Sequence, residues 1–425
     1  MATISEQAAA MKAVSPYMGT LALEVRNKAL AAIAEALVTN KNKIFEANAA
    51  DIEAATKEGL EGPVIKRLRF DEAKLKDVTD GIRGLIKLED PLFKTLLERE
   101  LDEGLLLRRV TCAIGVIGVI FESRPDALVQ IASLCIKSGN CAILKGGREA
   151  LNTNRVLFSI IRDAACECGV PDKALLLAEA RSEIAELLTC DKYVDLLIPR
   201  GSNAFVQYIM NNTKIPVMGH ADGICHVYVD EDADLDMAIS VVRDSKTQYV
   251  SVCNATETLL VNKKIYADFV PLLKASLDEK NVKLVGDDNI QKVIDCEAAT
   301  EEDWKTEYLD YKLSIKVVDD VKEAVDHINK YGSHHTDSIV TDNAKTAEYF
   351  MQYVDSAGVY QNASTRFADG FRYGFGAEVG VSTGKLHARG PVGLEGLVTY
   401  KYKLYGSGHI VADFAEGRKT FKFNR

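Results

Sequence analysis

The stretch "AIGVIGVIFESRPDALVQIASLCIKSGNCAILKGG", residues 113–147, decides the fold. An apolar run rich in β-branched residues, "AIGVIGVIF", precedes a segment with helical apolar spacing, "DALVQIASLCIKSG", and a second short apolar run, "CAILKGG". Strand, helix, strand in that order is a right-handed βαβ crossover, and strands apolar along their whole length belong inside a parallel sheet. The alternation continues with a helix beginning near Glu149, then "ALLLAE", "EIAELLT", "VDLLIPR", "NAFVQYIMNN" and "KIPVM". The reading is a Rossmann-like layered α/β domain.

Upstream, the first 95 residues carry 3.6-type apolar spacing in Ala-, Leu-, Lys- and Glu-rich segments, including one long run over 22–59, and read as helices. "LERELDEGLLLRRVT", residues 97–111, shows two short runs about "DEG" and predicts a β-hairpin. A second α/β block begins near "CHVYVDEDADLDMAISVVRD", in which "EDADLD" reads as a solvated turn opening a helix. The tail "GLVTYKYKLYGSG" alternates like an exposed strand, and pairing with the hairpin, in cis or in another subunit, would remove its open edge. The expected domains are 1–96 with 112–225, then 226–395, with 97–111 and 396–425 as an arm and tail.

At 425 residues the chain exceeds the roughly 250–300 residues that one core sustains, which supports more than one domain. Its formal charge of -10 comes from 62 acidic and 52 basic residues spread along the chain, without the basic stripe that nucleic acid or an anionic membrane needs. Small-molecule chemistry is the class that remains. The opening "MATISEQAAAMKAVSPYMG" lacks a basic segment followed by an apolar one, and no window approaches roughly 18 uninterrupted apolar residues, so a cytoplasmic protein is expected. The nine cysteines, odd in number and mostly within apolar segments, predict free thiols in a reducing compartment.

No G-x-G-x-x-G fingerprint occurs, because "GVIGV" lies within a strand at the wrong spacing. Two other segments offer a nucleotide its contacts. "AILKGGREA" sets Lys145, Gly146, Gly147 and Arg148 at the carboxyl end of a buried strand, where open α/β sheets bind ligands, and suits ribose and phosphate. "LIPRGSN" ends a strand with Gly201 and puts Ser202 at a helix N-cap, a place for phosphate that ordinary βα turns also resemble. The seven histidines offer no H-E-x-x-H, and "CEC" at 166–168 has no second cysteine pair, so no metal site is expected; "SHHTDS" reads as a polar loop.

"QYVSVCNATETLLV", residues 248–261, sets Cys253 after a polar, loop-like run and before Asn254 and Thr256. Reactive cysteines are partly exposed and inert ones sit in apolar surroundings. The local pattern leaves both readings, nucleophile and small core residue, open.

The order of segments from "GVIGVIFESRPDALVQIASLCIKSGNCAILKGG" through "RGSN", "DEDADLDMA", Cys253, "TEYLDYKLSIKVV" and "INKYGSHHTDSIVT" to "GFGAEVGVSTGKLHARGPVGLEGLVTYKYKLYGSG" resembles the aldehyde dehydrogenase superfamily over nearly the whole chain. "FESRPDA" and "STGKLHARGP" resemble, more narrowly, its acyl-phosphate-reducing branch in proline biosynthesis. The resemblance implies an aldehyde-dehydrogenase-like α/β fold: a Rossmann-like cofactor domain, an α/β catalytic domain and a β-hairpin oligomerisation arm. It implies Cys253 as nucleophile, Lys145 at the adenosine ribose, Gly201 with Ser202 at the cofactor pyrophosphate, and Glu307 at the nicotinamide ribose. Arg148 stands where NAD-preferring relatives often carry an acid, and a guanidinium there would pair a 2′-phosphate, so NADPH is expected over NADH.

Two departures from the superfamily pattern carry information. General members hold a glutamate in an E-L-G-G segment that activates water against the thioester, whereas the corresponding stretch here is "GHADG", residues 219–223, without glutamate. The oxyanion asparagine of an N-F-P segment is replaced in "SRP", with Ser123 at the aligned place and Glu122 beside it. The implied reaction is NADPH-dependent reduction of L-glutamate 5-phosphate to L-glutamate 5-semialdehyde and phosphate through a Cys253 thioester, the oxyanion held by the Cys253 N–H and the Ser123 hydroxyl. A water-activating base would divert that thioester to glutamate, so its lack fits a reductase. The anionic substrate needs cations, for which Arg124, Lys385 and Arg389 are the candidates. A homo-oligomer is expected, with glutamate 5-kinase as a candidate partner. The competing readings are a hydrolytic NAD(P)-dependent aldehyde dehydrogenase and a catalytically silent oligomeric scaffold.

Overall fold

The computed structural model describes residues 2–60, 62–180, 182–220, 222–376 and 378–423. The chain divides into two compact units, Met1–Met218 with Gly393–Arg425, and Gly219–Val392. The second unit begins ahead of the boundary expected at 225, so the "GHADG" segment belongs to the same unit as Cys253.

The first unit opens with helices Ile4–Met18, Leu23–Thr39, Lys41–Lys57, Gly62–Leu68 and Glu72–Lys87. A capping box starts the first: the Thr3 hydroxyl accepts from the Glu6 N–H while the Glu6 carboxylate accepts from the Thr3 N–H. The run expected over 22–59 divides at Asn40, whose side-chain amide donates to the Ala36 carbonyl at 2.9 Å and closes one helix as the next begins. Strands β1 (Thr95–Asp102) and β2 (Leu105–Ala113) form the expected hairpin, turning at Gly104 with φ +74°, a conformation glycine adopts freely. The C-terminal strand Val398–Tyr405 pairs antiparallel with β2 in cis, leaving Tyr402 and Leu404 exposed.

A parallel sheet follows, built from β3 (Val116–Phe121), β4 (Cys141–Lys145), β5 (Leu175–Ala178) and β6 (Leu196–Arg200) in the order β5–β4–β3–β6. Every residue of β3 and β4 is buried, which accounts for their unbroken apolar sequences. The order reverses between β3 and β6, and the loops after these two strands meet at the switch point where such sheets take ligands. "KIPVM", read as a strand, makes only an isolated bridge from Val217 to Leu197, since Pro216 has no N–H to donate to a ladder.

The second unit carries seven parallel strands: β7 (Cys225–Val229), β8 (Thr256–Asn262), β9 (Lys283–Gly286), β10 (Glu297–Ala298), β11 (Lys312–Val318), β12 (Thr336–Val340) and β13 (Gly358–Gln361). Their order is β10–β9–β11–β8–β7–β12–β13. The pleat divides their side chains between two cores. Val227, Val229, Leu259 and Val261 pack with Val242, Phe269 and Leu273 on one face, whereas Tyr228, Leu260 and Ile339 pack with Val325, Ile328 and Phe350 on the other. Each such fully buried aliphatic side chain stabilises the unit by about 1.5–3 kcal/mol relative to exposure. "EDADLD" opens helix Leu235–Thr247 as expected, with the Asp234 carboxylate accepting from the Met237 N–H at 2.8 Å. Among the described residues, no helix is long and apolar enough to cross a membrane.

Candidate active site

Cys253 lies in the second unit, in the turn between helix Leu235–Thr247 and β8, and is half-buried. The nine cysteines are all free thiols, and burial pushes those of Cys135 and Cys141 up to about 12 and that of Cys225 well above its ordinary range. Cys225, at the start of β7, donates its S–H to the Cys253 carbonyl at 3.3 Å, so the buried thiol supports the turn that carries the half-buried one.

Two distant segments fix that turn. Gly223 approaches it so closely that a Cβ would stand 2.1 Å from the Cys253 carbonyl oxygen. From the other direction, the Thr365 hydroxyl donates to the Asn254 carbonyl at 2.7 Å, and the Asn254 side-chain amide donates to the Ala368 carbonyl at 2.9 Å. Ser245, on the preceding helix, accepts the Thr365 N–H at 3.2 Å. These bonds link helix, Cys253 turn and the 364–368 segment into one buried polar network. Arg366 comes from the same segment and was not singled out in the sequence; only 7% exposed, it donates from Nε to the Gln248 side-chain oxygen at 2.9 Å. Burial and the nearby Arg372 lower its pKa, while the charge of Cys253 raises it.

His220 and His335 join Cys253. Their rings meet edge to face with centroids 4.8 Å apart, and the ligand atoms of the three side chains all lie within 4.8 Å of one another. The "SHHTDS" segment thus departs from the polar loop expected of it: His335 is fully buried and β12 follows at once. Part of this buried cluster is satisfied from within. Asp337 accepts from the His226 N–H at 2.7 Å, contacts the His226 ring at 2.9 Å and accepts from the Ser356 hydroxyl at 2.5 Å.

Just beyond Cys253, Lys246 and Glu257 form a fully buried ion pair at 2.5 Å, and the second Glu257 oxygen accepts from the Leu309 N–H at 3.2 Å. Burial drives both toward neutrality, the carboxyl upward and the ammonium downward. Glu307 lies half-buried beside this pair, close enough for its charge to raise the Glu257 pKa. Its segment is anchored by Asp303, which accepts from the Thr300 N–H and hydroxyl at 2.8 and 2.6 Å, the Tyr308 hydroxyl at 2.7 Å and the Lys312 ammonium at 3.2 Å. Lys385 and Arg389 both pair with Asp355, at 2.5 and 3.0 Å, so an incoming anion must compete with that carboxylate.

The remaining expected residues lie in the first unit. Lys145 ends β4 almost fully buried, its Nζ donating to the Gly146 carbonyl at 2.6 Å, and burial lowers its pKa. Gly146 has no room for a side chain, since a Cβ would stand 2.2 Å from the Asn154 amide nitrogen. Arg148 is exposed and pairs with Glu58 at 3.0 Å. Ser123, with φ +44°, sits in the turn after β3, and both its N–H and its hydroxyl donate to Glu149, at 2.7 and 2.6 Å. Arg124 follows as the N-cap of helix Pro125–Lys137. At the start of helix Asn203–Asn211, the Ser202 N–H donates to the Glu122 carboxylate at 3.1 Å, and a Cβ on Gly201 would stand 2.6 Å from the same oxygen. An anionic oxygen therefore already occupies the place expected for a phosphate. Lys145, Gly146, Gly201 and Ser202 thus sit at the carboxyl edge of one sheet, and the structure adds Glu122 and Glu149 as their internal acidic partners.

Comparison with known proteins gives four results. The model of the aldehyde dehydrogenase family matches residues 2–299. The gamma-glutamyl phosphate reductase of Acetivibrio thermocellus is 61% identical over 423 residues, 100% of this chain and 98% of that one. Among solved structures, the gamma-glutamyl phosphate reductase of Thermotoga maritima superposes with a TM-score of 0.93 at 39% identity, covering 95% of this chain and 99% of that chain. The NADP complex of a glyceraldehyde-3-phosphate dehydrogenase from Methanocaldococcus jannaschii shares the fold at a TM-score of 0.66 and 16% identity, over 96% of each chain.

Proposed function

Because this chain belongs to the aldehyde dehydrogenase family, and within it stands with the gamma-glutamyl phosphate reductases, we propose that its reaction runs through a thioester on Cys253. The enzyme is an oxidoreductase of proline biosynthesis that reduces L-glutamate 5-phosphate to L-glutamate 5-semialdehyde, and it uses a nicotinamide cofactor.

In the proposed course, the Cys253 thiolate attacks the γ-carbonyl carbon, and the carbonyl electrons move onto oxygen, where the Cys253 backbone N–H receives them. Collapse expels inorganic phosphate and leaves the acyl group on sulfur. The nicotinamide cofactor, when bound, supplies the hydride that converts this thioester to a thiohemiacetal. Cleavage of the carbon–sulfur bond then releases the aldehyde and restores the thiol. Ser123 would have to let go of Glu149 before its hydroxyl could serve the oxyanion.

The residues at the carboxyl edge of the first unit's sheet fit a dinucleotide. Lys145 would hold the adenosine ribose, and the Ser202 N–H, already donating to a carboxylate, would donate to a pyrophosphate oxygen once Glu122 withdraws. Arg148 supports NADPH as the form used, its exposed guanidinium being available to a 2′-phosphate at the expense of a weak surface pair with Glu58. Glu307 is the proposed partner of the nicotinamide ribose. For the substrate's negative charges, Arg366 joins Arg124, Lys385 and Arg389 as a fourth candidate cation, and it is the one tied to the proposed nucleophile's own network.

The observation that carries the thioester reading is the packing of Gly223, the last residue of "GHADG", on Cys253. This is the segment that supplies the water-activating glutamate in hydrolytic relatives, and here it presents His220. The first carboxylate after Cys253 in the chain, Glu257, is paired with Lys246 and the Leu309 N–H and is not free to act as a base. The scaffold reading leaves this organised nucleophile without a purpose. A cytoplasmic homo-oligomer that receives its labile substrate from a glutamate 5-kinase is the proposed setting.

The reverse reaction tests the whole reading. Oxidation of glutamate 5-semialdehyde with NADP+ should require inorganic phosphate and disappear in Cys253→Ala. Turnover without phosphate would establish the hydrolytic course instead, and an active alanine variant would remove Cys253 from the mechanism.

A further inference from the structure

We propose that the pocket around Cys253 is also a reversible binding site for a thiophilic divalent cation, Zn2+ foremost, held by the Cys253 thiolate and the imidazoles of His220 and His335, and that occupation shuts the enzyme off. The inhibitory half of this inference rests on Cys253 being the nucleophile; the binding half does not.

Three donors of the right chemistry converge. Their ligand atoms lie within 4.8 Å of one another. A tetrahedral zinc site, with Zn–S about 2.3 Å and Zn–N about 2.0–2.1 Å, separates its ligand atoms by roughly 3–4 Å. Closing the widest pair therefore needs a shift of about 1 Å, which a half-buried thiol and a half-buried imidazole can supply.

The hydrogen bonds prepare both rings as ligands. The His220 Nδ1 lies 2.8 Å from the Val381 carbonyl, which can only accept, so Nδ1 carries the proton and Nε2 of the neutral ring carries the lone pair. A backbone carbonyl on the remote nitrogen is the outer partner that metal-bound histidines typically have. His335 contacts the Thr336 hydroxyl through Nδ1 at 3.0 Å, while its Nε2 is buried and has no hydrogen-bond partner. An unmet buried nitrogen is destabilising, and a bound cation would satisfy it.

The donor set also selects the ion. Two imidazoles and a thiolate suit Zn2+ and neighbouring soft transition ions, not Mg2+ or Ca2+. Three protein ligands leave a fourth position for water, and two of the three are only half-buried, so the site is open and exchangeable, unlike a closed structural zinc site. Binding releases the thiol proton to solvent and involves no change of oxidation state.

The test uses the full-length enzyme and ZnCl2 in a non-coordinating buffer, with a chromophoric chelator as competitor. One Zn2+ per chain should bind, activity should fall in proportion, EDTA should restore it, and Mg2+ at the same concentration should do nothing. His335→Gln and His220→Gln should each weaken Zn2+ binding at least about tenfold, judged by chelator competition. Replacing Zn2+ with Co2+ should give a thiolate charge-transfer band that Cys253→Ser abolishes. Should His335→Gln fail to fold, His220→Gln and the cobalt band decide. Zn2+ inhibition of equal potency in both histidine variants, or stoichiometric binding undiminished in Cys253→Ser, would overturn the site. Loss of turnover in Cys253→Ala with those outcomes would leave the nucleophile intact and remove only the metal, whereas an active Cys253→Ala that no longer binds Zn2+ would do the reverse.

Discussion

Gly223 and Cys253 are packed backbone against backbone: a Cβ on Gly223 would stand 2.1 Å from the Cys253 carbonyl oxygen and 2.3 Å from its Cα. Neither neighbour is a flexible side-chain end, so Gly223→Ala must displace the main chain of Cys253, the proposed nucleophile. A misplacement of about 1 Å lowers turnover on the order of 100-fold. The expected result is that loss in kcat, with Cys253 still alkylated by iodoacetamide. A variant with undiminished kcat would show that the turn tolerates the shift.

Arg366 is a buried cation tied to the polar network around Cys253. Arg366→Met should reduce kcat/KM at least about tenfold, because it removes a cation proposed to hold the substrate's negative charge. Arg366→Lys should recover part of the loss. Steady-state kinetics measure it, and an unchanged melting temperature distinguishes it from a structural defect.

Arg148→Glu should weaken catalysis with NADPH by about 10–100-fold, the worth of charge-assisted bonds to one phosphate, and leave NADH little affected. Its Glu58 pair is exposed, so the melting temperature should barely move. Equal losses with the two cofactors would reject the 2′-phosphate role.

Asp303 governs an acid-sensitive part of the second unit. Burial pushes its carboxyl upward, but hydrogen bonds from Thr300, Tyr308 and Lys312 outweigh that and hold it well below the usual carboxylate range. A depressed folded-state pKa contributes stability that is complete above the unfolded value of about 3.9 and is lost as pH falls through the folded value. Asp303→Asn should therefore destabilise by roughly 1–3 kcal/mol at pH 7, and the gap from wild type should narrow steadily below about pH 4. Urea denaturation at several pH values measures it. The same variant should weaken cofactor binding if Glu307 serves the ribose.

The sheets, the hairpin and the pairing of the tail were legible in the sequence because their information is local: period two or 3.6, a turn at "DEG", a buried run such as "CAILK". Cys253 stood out only faintly, since a thiol's exposure is set by what packs around it. Its supports were illegible for a different reason. Thr365 bonds to Asn254 across 111 positions, and nothing in "NASTRFADG" announces that contact or the burial of Arg366. "SHHTDS" misled because polar residues enter a core only when their partners come with them, and Asp337 meets His226 from another strand. Glu122 and Glu149 were obscured likewise, their roles lying in the backbone N–H groups that the fold turns toward them.

The two units also differ in continuity. Residues 219–392 form one uninterrupted stretch, whereas the first unit is completed only by the residues from 393 onward. On the ribosome, β2 is therefore made long before Val398–Tyr405, the strand that covers its edge. At about 5–20 residues per second, that edge waits on the order of 15–60 s, time enough for a nascent chain to find another strand. The second unit is complete only at residue 392, so the hairpin edge stays uncovered until almost the whole chain has been made.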